Sequence, residues 1–260
     1  MSHSEDTSAL RKPYIAANWK MNLDRAKALD LTKSLKARLG DGDDREVAVF
    51  APFVYLADVA AVSQGSPIGL GAQNLHWEKF GAFTGETSAP MLRDVGVDRV
   101  LVGHSERRHV FLEKDEWMGR KLRQALDHDL LPLLCIGETL EERKKGKVAS
   151  VLKRQVRSAL DWVEVAEIHR LSIAYEPVWA IGTGEVATTD QAAEAHGIVR
   201  GVIEEMFDAT VASCFRILYG GSVTRDNARE LMSVPDVDGL LVGGASLKAE
   251  SFLPIIEYDR

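Results

Sequence analysis

The stretch LSIAYEPVWAIGTGEVATTDQ, Leu171 to Gln191, contains one complete unit of architecture. Apart from Ser172, its first residues are apolar, β-branched or aromatic as far as Tyr175, where Glu176-Pro177 ends them. Continuous apolarity, as opposed to alternation, suits a strand covered on both faces, as in a parallel sheet wrapped by helices. After Gly182 and Gly184, Thr188 with Gln191 three positions later forms a capping-box start for a helix that carries Val199, Val202, Ile203 and Met206. The unit is strand, loop, helix.

The same unit recurs outward from this stretch. Apolar or β-branched runs begin near Tyr14 (YIAAN), Glu46 (EVAVFAP), Ile68 (IGLGAQN), Arg99 (RVLVGH), Leu131 (LPLLCIGE), Leu171 (LSIAYEP), Phe215 (FRILYGG) and Gly239 (GLLVGG). Between them, Leu31, Leu35 and Leu39 recur at helical spacing before Gly40, and Leu152, Val156, Ala159, Leu160 and Val163 mark a second helical stripe. Eight such units in 260 residues favour an α/β fold of the closed (β/α)8 type, eight parallel strands with surrounding helices, over a doubly wound open sheet, which pattern alone leaves possible. No linker-like composition divides the chain, so residues 13–260 are expected to form a single barrel domain and residues 1–12 a polar N-terminal extension.

Composition narrows the partners. The net charge of -7 comes from 32 basic and 39 acidic residues spread along the chain, with no basic stripe to track a phosphate backbone, so nucleic acid is not expected. Two cysteines, Cys135 and Cys214, give neither a disulfide framework nor paired metal-ligand spacing. No apolar run approaches the ~18 residues of a membrane span, and the N-terminus lacks a leader pattern. A cytoplasmic protein with no membrane partner is the expectation.

In barrels of this kind, active sites gather at the C-terminal ends of the strands. There the sequence has Asn18 and Lys20 after the first run, His104-Ser105-Glu106 after the fourth, Glu176 after the sixth, Gly220-Gly221-Ser222 after the seventh and Gly243-Gly244 after the eighth. Each is a weak signal, since a Lys after a strand is usually solvated and Gly-Gly is usually a turn. Together they would bring a base, a neutral donor, a cation and two Gly-rich loops to one rim. The loops after strands seven and eight are the common phosphate position in this architecture, because backbone N–H groups there can meet an anion. A phosphorylated ligand follows.

These segments resemble the triosephosphate isomerase family: Asn18 to Asn22 (NWKMN), Gly81 to Glu86 (GAFTGE), Gly103 to Arg108 (GHSERR), Ala174 to Gly184 (AYEPVWAIGTG), Tyr219 to Val223 (YGGSV) and Leu241 to Leu247 (LVGGASL). The resemblance runs from residue 14 to near residue 255. It implies interconversion of dihydroxyacetone phosphate and D-glyceraldehyde 3-phosphate, a step of glycolysis and gluconeogenesis, without cofactor or metal. It also implies a homodimer in which the loop Gln73 to Gly85 enters the neighbouring subunit and Thr84 reaches its site. Trp77 and Phe80, near the loop tip, would be wet in a monomer. Another phosphate-binding barrel isomerase, or a barrel without turnover, are the alternatives.

The chemistry fits the residue types. Moving a carbonyl between adjacent carbons needs one base that reaches both, and Glu176 is the candidate, made more basic by desolvation when the loop that follows it closes. His104 stands where a short helix should begin at Ser105, so a backbone N–H can bond one ring nitrogen and leave the other as a neutral donor to the enediolate. Lys20 supplies positive charge, with Asn18 orienting it and Glu106 as its partner. Trp179 to Gly184 reads as a lid, and its Gly182, with Ser222, Gly243 and Gly244, is expected to bind the phosphate. Cys135, embedded in its apolar run, is expected to pack in the core.

Overall fold

The structure, a computed structural model, describes residues 11–40, 42, 44–181 and 185–260. Eight parallel strands, β1 (Tyr14–Asn18), β2 (Glu46–Ala51), β3 (Ile68–Ala72), β4 (Arg99–Val102), β5 (Leu131–Ile136), β6 (Ser172–Tyr175), β7 (Ile217–Tyr219) and β8 (Gly239–Val242), follow one another in chain order. The last pairs with the first, Tyr14 opposite Gly239 through Ala17 opposite Val242, which closes the barrel and removes both sheet edges. The open-sheet alternative is thereby excluded.

The nearly continuous apolarity of the strands has a direct cause: each strand has two apolar faces to fill. Tyr14, Ala16, Phe50, Leu101, Leu133, Cys135, Ala174, Leu218 and Leu241 pack together as one cluster inside the barrel. Their neighbours of opposite parity, such as Ile15, Ala17, Val49, Val102 and Ile173, pack outward with Leu31, Leu35, Leu152, Val156, Val199 and Ile203 of the surrounding helices. Helix ends follow the local signals. Asp24 caps the helix Arg25–Leu39 by accepting from the Lys27 N–H, and Gly40 ends it with φ 54°. The Thr188/Gln191 capping box starts the helix Thr189–Met206.

The seventh strand is shorter than its apolar run because side chains and a helix end take the backbone groups at its start. The Phe215 N–H goes to Val211 O, and its carbonyl accepts from Arg200 Nη1 at 2.9 Å. Arg200 also donates to Asp236 at 2.5 Å and to Asp238 at 2.7 Å. Asp238 in turn accepts from the Ile217 N–H at 2.9 Å and from Arg11 Nε at 2.6 Å. This network ties the entries of β7 and β8 to a helix on the face opposite the strands' C-terminal ends.

Removing Arg200 leaves buried Asp238 with Arg11 and the Ile217 N–H but with one cation fewer, and leaves the Phe215 carbonyl without its Arg200 donor. Arg200→Met should therefore lower the unfolding free energy by about 3 kcal/mol in a denaturant titration. It should change kcat less than about twofold, because the network lies on the stability face of the barrel. A variant as stable as the parent would contradict the role assigned to this network.

Candidate active site

The residues that follow five different strands converge. Asn18, Lys20, His104, Glu176, Gly220, Gly221, Ser222, Gly243 and Gly244 line one cavity of about 450 Å³. Closure of the barrel does this, since residues remote in sequence leave neighbouring strands on the same rim. Glu106 lies to one side: with Lys20, His104, Met21 and Phe111 it borders an adjoining cavity of about 190 Å³. Gly182 falls outside the described residues.

Glu176 is 2% exposed and is held at both oxygens. Oε2 accepts from the Ser105 backbone N–H at 2.9 Å, and Oε1 lies 3.0 Å from His104 Nε2. Burial alone would push its pKa up, but His104, the Ser105 N–H and the charge of Lys20 outweigh burial and hold it below the usual carboxylate value. The more basic carboxylate is expected on closure of the loop that follows Glu176, a state distinct from this one. It requires Glu176 to leave these donors.

His104 is the N-cap of the short helix Ser105–His109, and its Nδ1 accepts from the Glu106 N–H at 3.3 Å. An imidazole that accepts at Nδ1 carries its proton on Nε2, the nitrogen facing Glu176. Burial lowers the His104 pKa, while the carboxylates of Glu176 and Glu106 raise it, with a net upward direction. Glu176 is the larger of these two carboxylate influences. Apart from Glu176, burial and the N–H at Nδ1 favour the neutral ring, against the smaller influence of Glu106.

Lys20 occupies a left-handed conformation, φ 52°, uncommon for a residue with a Cβ. Its backbone is clamped on both sides: the N–H donates to Asn18 Oδ1 at 3.0 Å, and the carbonyl accepts from Gln73 Nε2 at 2.8 Å. The ammonium donates to Glu106 Oε1 at 2.8 Å. Asn18 thus fixes the backbone of Lys20, and Glu106 fixes its charged end.

Sequence reasoning passed over several residues that shape this rim. Ser105 supplies the N–H to Glu176. Glu138, directly after β5 and fully buried, accepts from Trp179 Nε1 at 2.9 Å, Tyr175 Oη at 3.1 Å and Arg143 Nη1 at 3.0 Å, and so anchors the chain where it leaves β6. Its position after the fifth strand was the available signal. Lys121, on a helix where lysine reads as surface, is 2% exposed and donates to Asn74 and Glu113, both at 2.7 Å. In the Gln73 to Gly85 loop, Trp77 stacks with His76 at 4.3 Å and packs against Trp117 at 5.2 Å, so it is half-buried within this chain, whereas Phe80 is 82% exposed. Cys135 is buried in the barrel interior, and burial pushes its thiol pKa well up, as packing requires.

A carboxylate able to accept a proton, beside an imidazole and an ammonium able to hold an oxyanion, puts the molecule among the α/β-barrel enzymes that move protons next to a carbonyl. The sequence matches the triosephosphate isomerase family over residues 13–259. It is 50% identical to the triosephosphate isomerase of Chloroflexus aurantiacus, over 96% of this chain and 100% of that one. It is 47% identical to that of Acetivibrio thermocellus, over 96% and 99%, and 50% identical to that of Roseiflexus sp., over 96% and 98%. The chain belongs to the triosephosphate isomerase family. Its reaction is the interconversion of dihydroxyacetone phosphate and D-glyceraldehyde 3-phosphate, an intramolecular oxidoreduction.

The electrostatics give a test in the substrate-free enzyme. The Glu176 carboxyl should titrate below the usual value of about 4.3, and His104→Ala should move it upward, because burial then faces one favourable partner fewer. Carbon NMR of glutamate labelled at Cδ reads this directly. An unchanged midpoint in the variant would contradict the assignment of His104 as the main counter-influence.

Proposed function

We propose that Glu176 is the single base of the isomerisation, and the observation that carries this reading is its buried carboxylate held between His104 Nε2 and the Ser105 N–H. On substrate binding Glu176 gives up these donors and takes a proton from C1 of dihydroxyacetone phosphate. The electrons of the broken C–H bond form the C1–C2 double bond of an enediolate. A proton must also pass from the C1 hydroxyl to the oxygen on C2, a transfer the His104 ring can relay, and return of the abstracted proton to C2 then yields D-glyceraldehyde 3-phosphate. One carboxylate on a short arm reaches both carbons because they are adjacent.

The charge that develops on the carbonyl oxygen needs donors aimed at it before the reaction begins. His104 offers a neutral Nε2–H, the pattern known for this family, whose acidity lies closer to that of the enediol than an imidazolium's would. Lys20 offers a fixed ammonium, set by Asn18 through the backbone and by Glu106 at Nζ. Backbone N–H groups around Ser222, Gly243 and Gly244, together with Gly182 of the lid, bind the phosphate dianion. A closed lid keeps water from the enediolate, which otherwise can expel its phosphate.

In this reading residues 13–260 work as one domain, and the enzyme is a cytoplasmic homodimer assembled through the loop Gln73 to Gly85. Met21 at 96% and Phe111 at 61% exposure border one cavity beside Gln73, and Phe80 in the loop is 82% exposed; exposed apolar side chains grouped at a cavity support an apolar contact here. Among the described residues no helix is long and apolar enough to cross a membrane. Both cysteines are free, which suits a reducing compartment.

Two experiments test these assignments. Glu176→Asp draws the carboxylate back by about 1 Å and should lower kcat on the order of 10²-fold with little change in KM. A variant within threefold of the parent would remove Glu176 from the role of base. Replacing Gln73 to Gly85 by a short glycine-containing turn should give a soluble monomer of low activity, since Lys20 and His104 lose the cover of the partner's loop. Full activity in a species that light scattering shows to be monomeric would contradict the dimer requirement.

A further inference from the structure

The backbone of Glu176 rests on a template, the segment Ile136-Gly137-Glu138 just past the end of β5. Its N–H donates to Ile136 O at 2.7 Å, and two residues on the Val178 N–H donates to Glu138 O at 3.2 Å. Between these two bonds the chains touch: a Cβ built on Gly137 would lie 1.7 Å from Glu176 O and 2.7 Å from its carbonyl carbon. Only glycine permits this approach, and glycine has no side chain with which to anchor itself. The template for the base is therefore the freest residue type in the chain.

A side chain from another element supplies the missing anchor. Gln155 Oε1 accepts from the Gly137 N–H at 2.8 Å, and Gln155 Nε2 donates to Gly137 O at 3.2 Å. Both polar groups of the Gly137 residue are thus held by one amide. Gln155 is 4% exposed and sits on the buried stripe of the helix Val148–Leu160, beside Val151, Leu152, Val156 and Ala159. A primary amide buried in an apolar stripe is unfavourable unless its hydrogen bonds are made, and an aliphatic residue would fill the volume as well. We propose that Gln155 is a positioning residue for the isomerisation, which fixes the place of Glu176 by clamping the Gly137 backbone against it. The proposal rests on the reading of Glu176 as base.

A displacement of 1 Å at a proton-transferring group can cost as much as 10²-fold in rate while substrate binding, set by the phosphate contacts, hardly changes. Gln155→Met keeps the volume and removes both hydrogen bonds. With active sites counted by inhibitor titration, kcat should fall about 10- to 100-fold, KM should stay within twofold, and the primary isotope effect on kcat with C1-deuterated dihydroxyacetone phosphate should rise as proton abstraction becomes limiting. Loss of folded enzyme alone leaves both the kcat per active site and the isotope effect where they were.

Gln155→Glu gives a second handle should the methionine variant fail to fold. Protonated, the introduced carboxyl can accept the Gly137 N–H and donate to Gly137 O; ionised, it faces a carbonyl oxygen with no proton to offer. Its kcat should recover as pH falls through the titration of that carboxyl, a pH range over which the parent enzyme shows no such rise. Glu176→Asp assayed in parallel separates the two claims: parental activity there overturns the assignment of the base and this proposal with it. If Glu176→Asp is impaired while the Gln155 variants keep kcat within threefold, an unchanged isotope effect and the parental pH profile, then the positioning role alone is overturned.

Discussion

A carboxylate removed from water must be met by hydrogen-bond donors or it will take up a proton, and the structure depends on how that requirement is met at Glu176. The donors come from β4, through the His104 ring and the Ser105 N–H, while the carboxylate comes from the end of β6. Lys20 arrives from β1. Only a closed barrel sets three such strand ends around one cavity, and only strands apolar on both faces can close and be wrapped at once. The cost of burying one negative charge thus reaches back to the hydrophobic pattern of the whole chain.

The same partners that make burial tolerable weaken Glu176 as a base while they hold it. His104 and the Ser105 N–H lower its pKa, and it raises that of His104 in return. Separation of the pair changes both groups in the useful direction: the carboxylate becomes a stronger base, and the imidazole, bonded at Nδ1 by the Glu106 N–H, stays neutral with Nε2–H free to donate. The resting arrangement stores the two groups in a mutually satisfied form. In the mechanism proposed above, substrate offers a carbon acid to one and an oxygen to the other, and so replaces that pairing with the reactive one.

Much of this was legible in the sequence, because each strand announces itself as an apolar run and the residue that ends the run is the one presented at the rim. Lys20, His104 and Glu176 were found that way, and the capping signals at Thr188 and the stop at Gly40 were read from local chemistry. Residues that act on backbone or from unexpected faces were not. Ser105 contributes an N–H, which no side-chain pattern reveals; Gln155 and Lys121 lie on helices, where a polar residue reads as solvated. Trp77, read as a tip residue, packs on Trp117 because the loop folds back over the helix Asp115–Asp127. Such contacts are fixed by tertiary closeness, for which one sequence carries no periodic signal.

The central claim is that the Glu176 carboxylate itself removes the proton from carbon. Glu176→Gln keeps the shape and the hydrogen-bonding reach of the side chain but has no basic oxygen of comparable strength. The decisive measurement is the rate at which C1-deuterated dihydroxyacetone phosphate loses its label to solvent on this variant, followed by NMR, with substrate affinity measured alongside. The account predicts that loss of label falls on the order of 10³-fold while affinity changes only severalfold. Label lost within tenfold of the parental rate would mean that another group takes the proton.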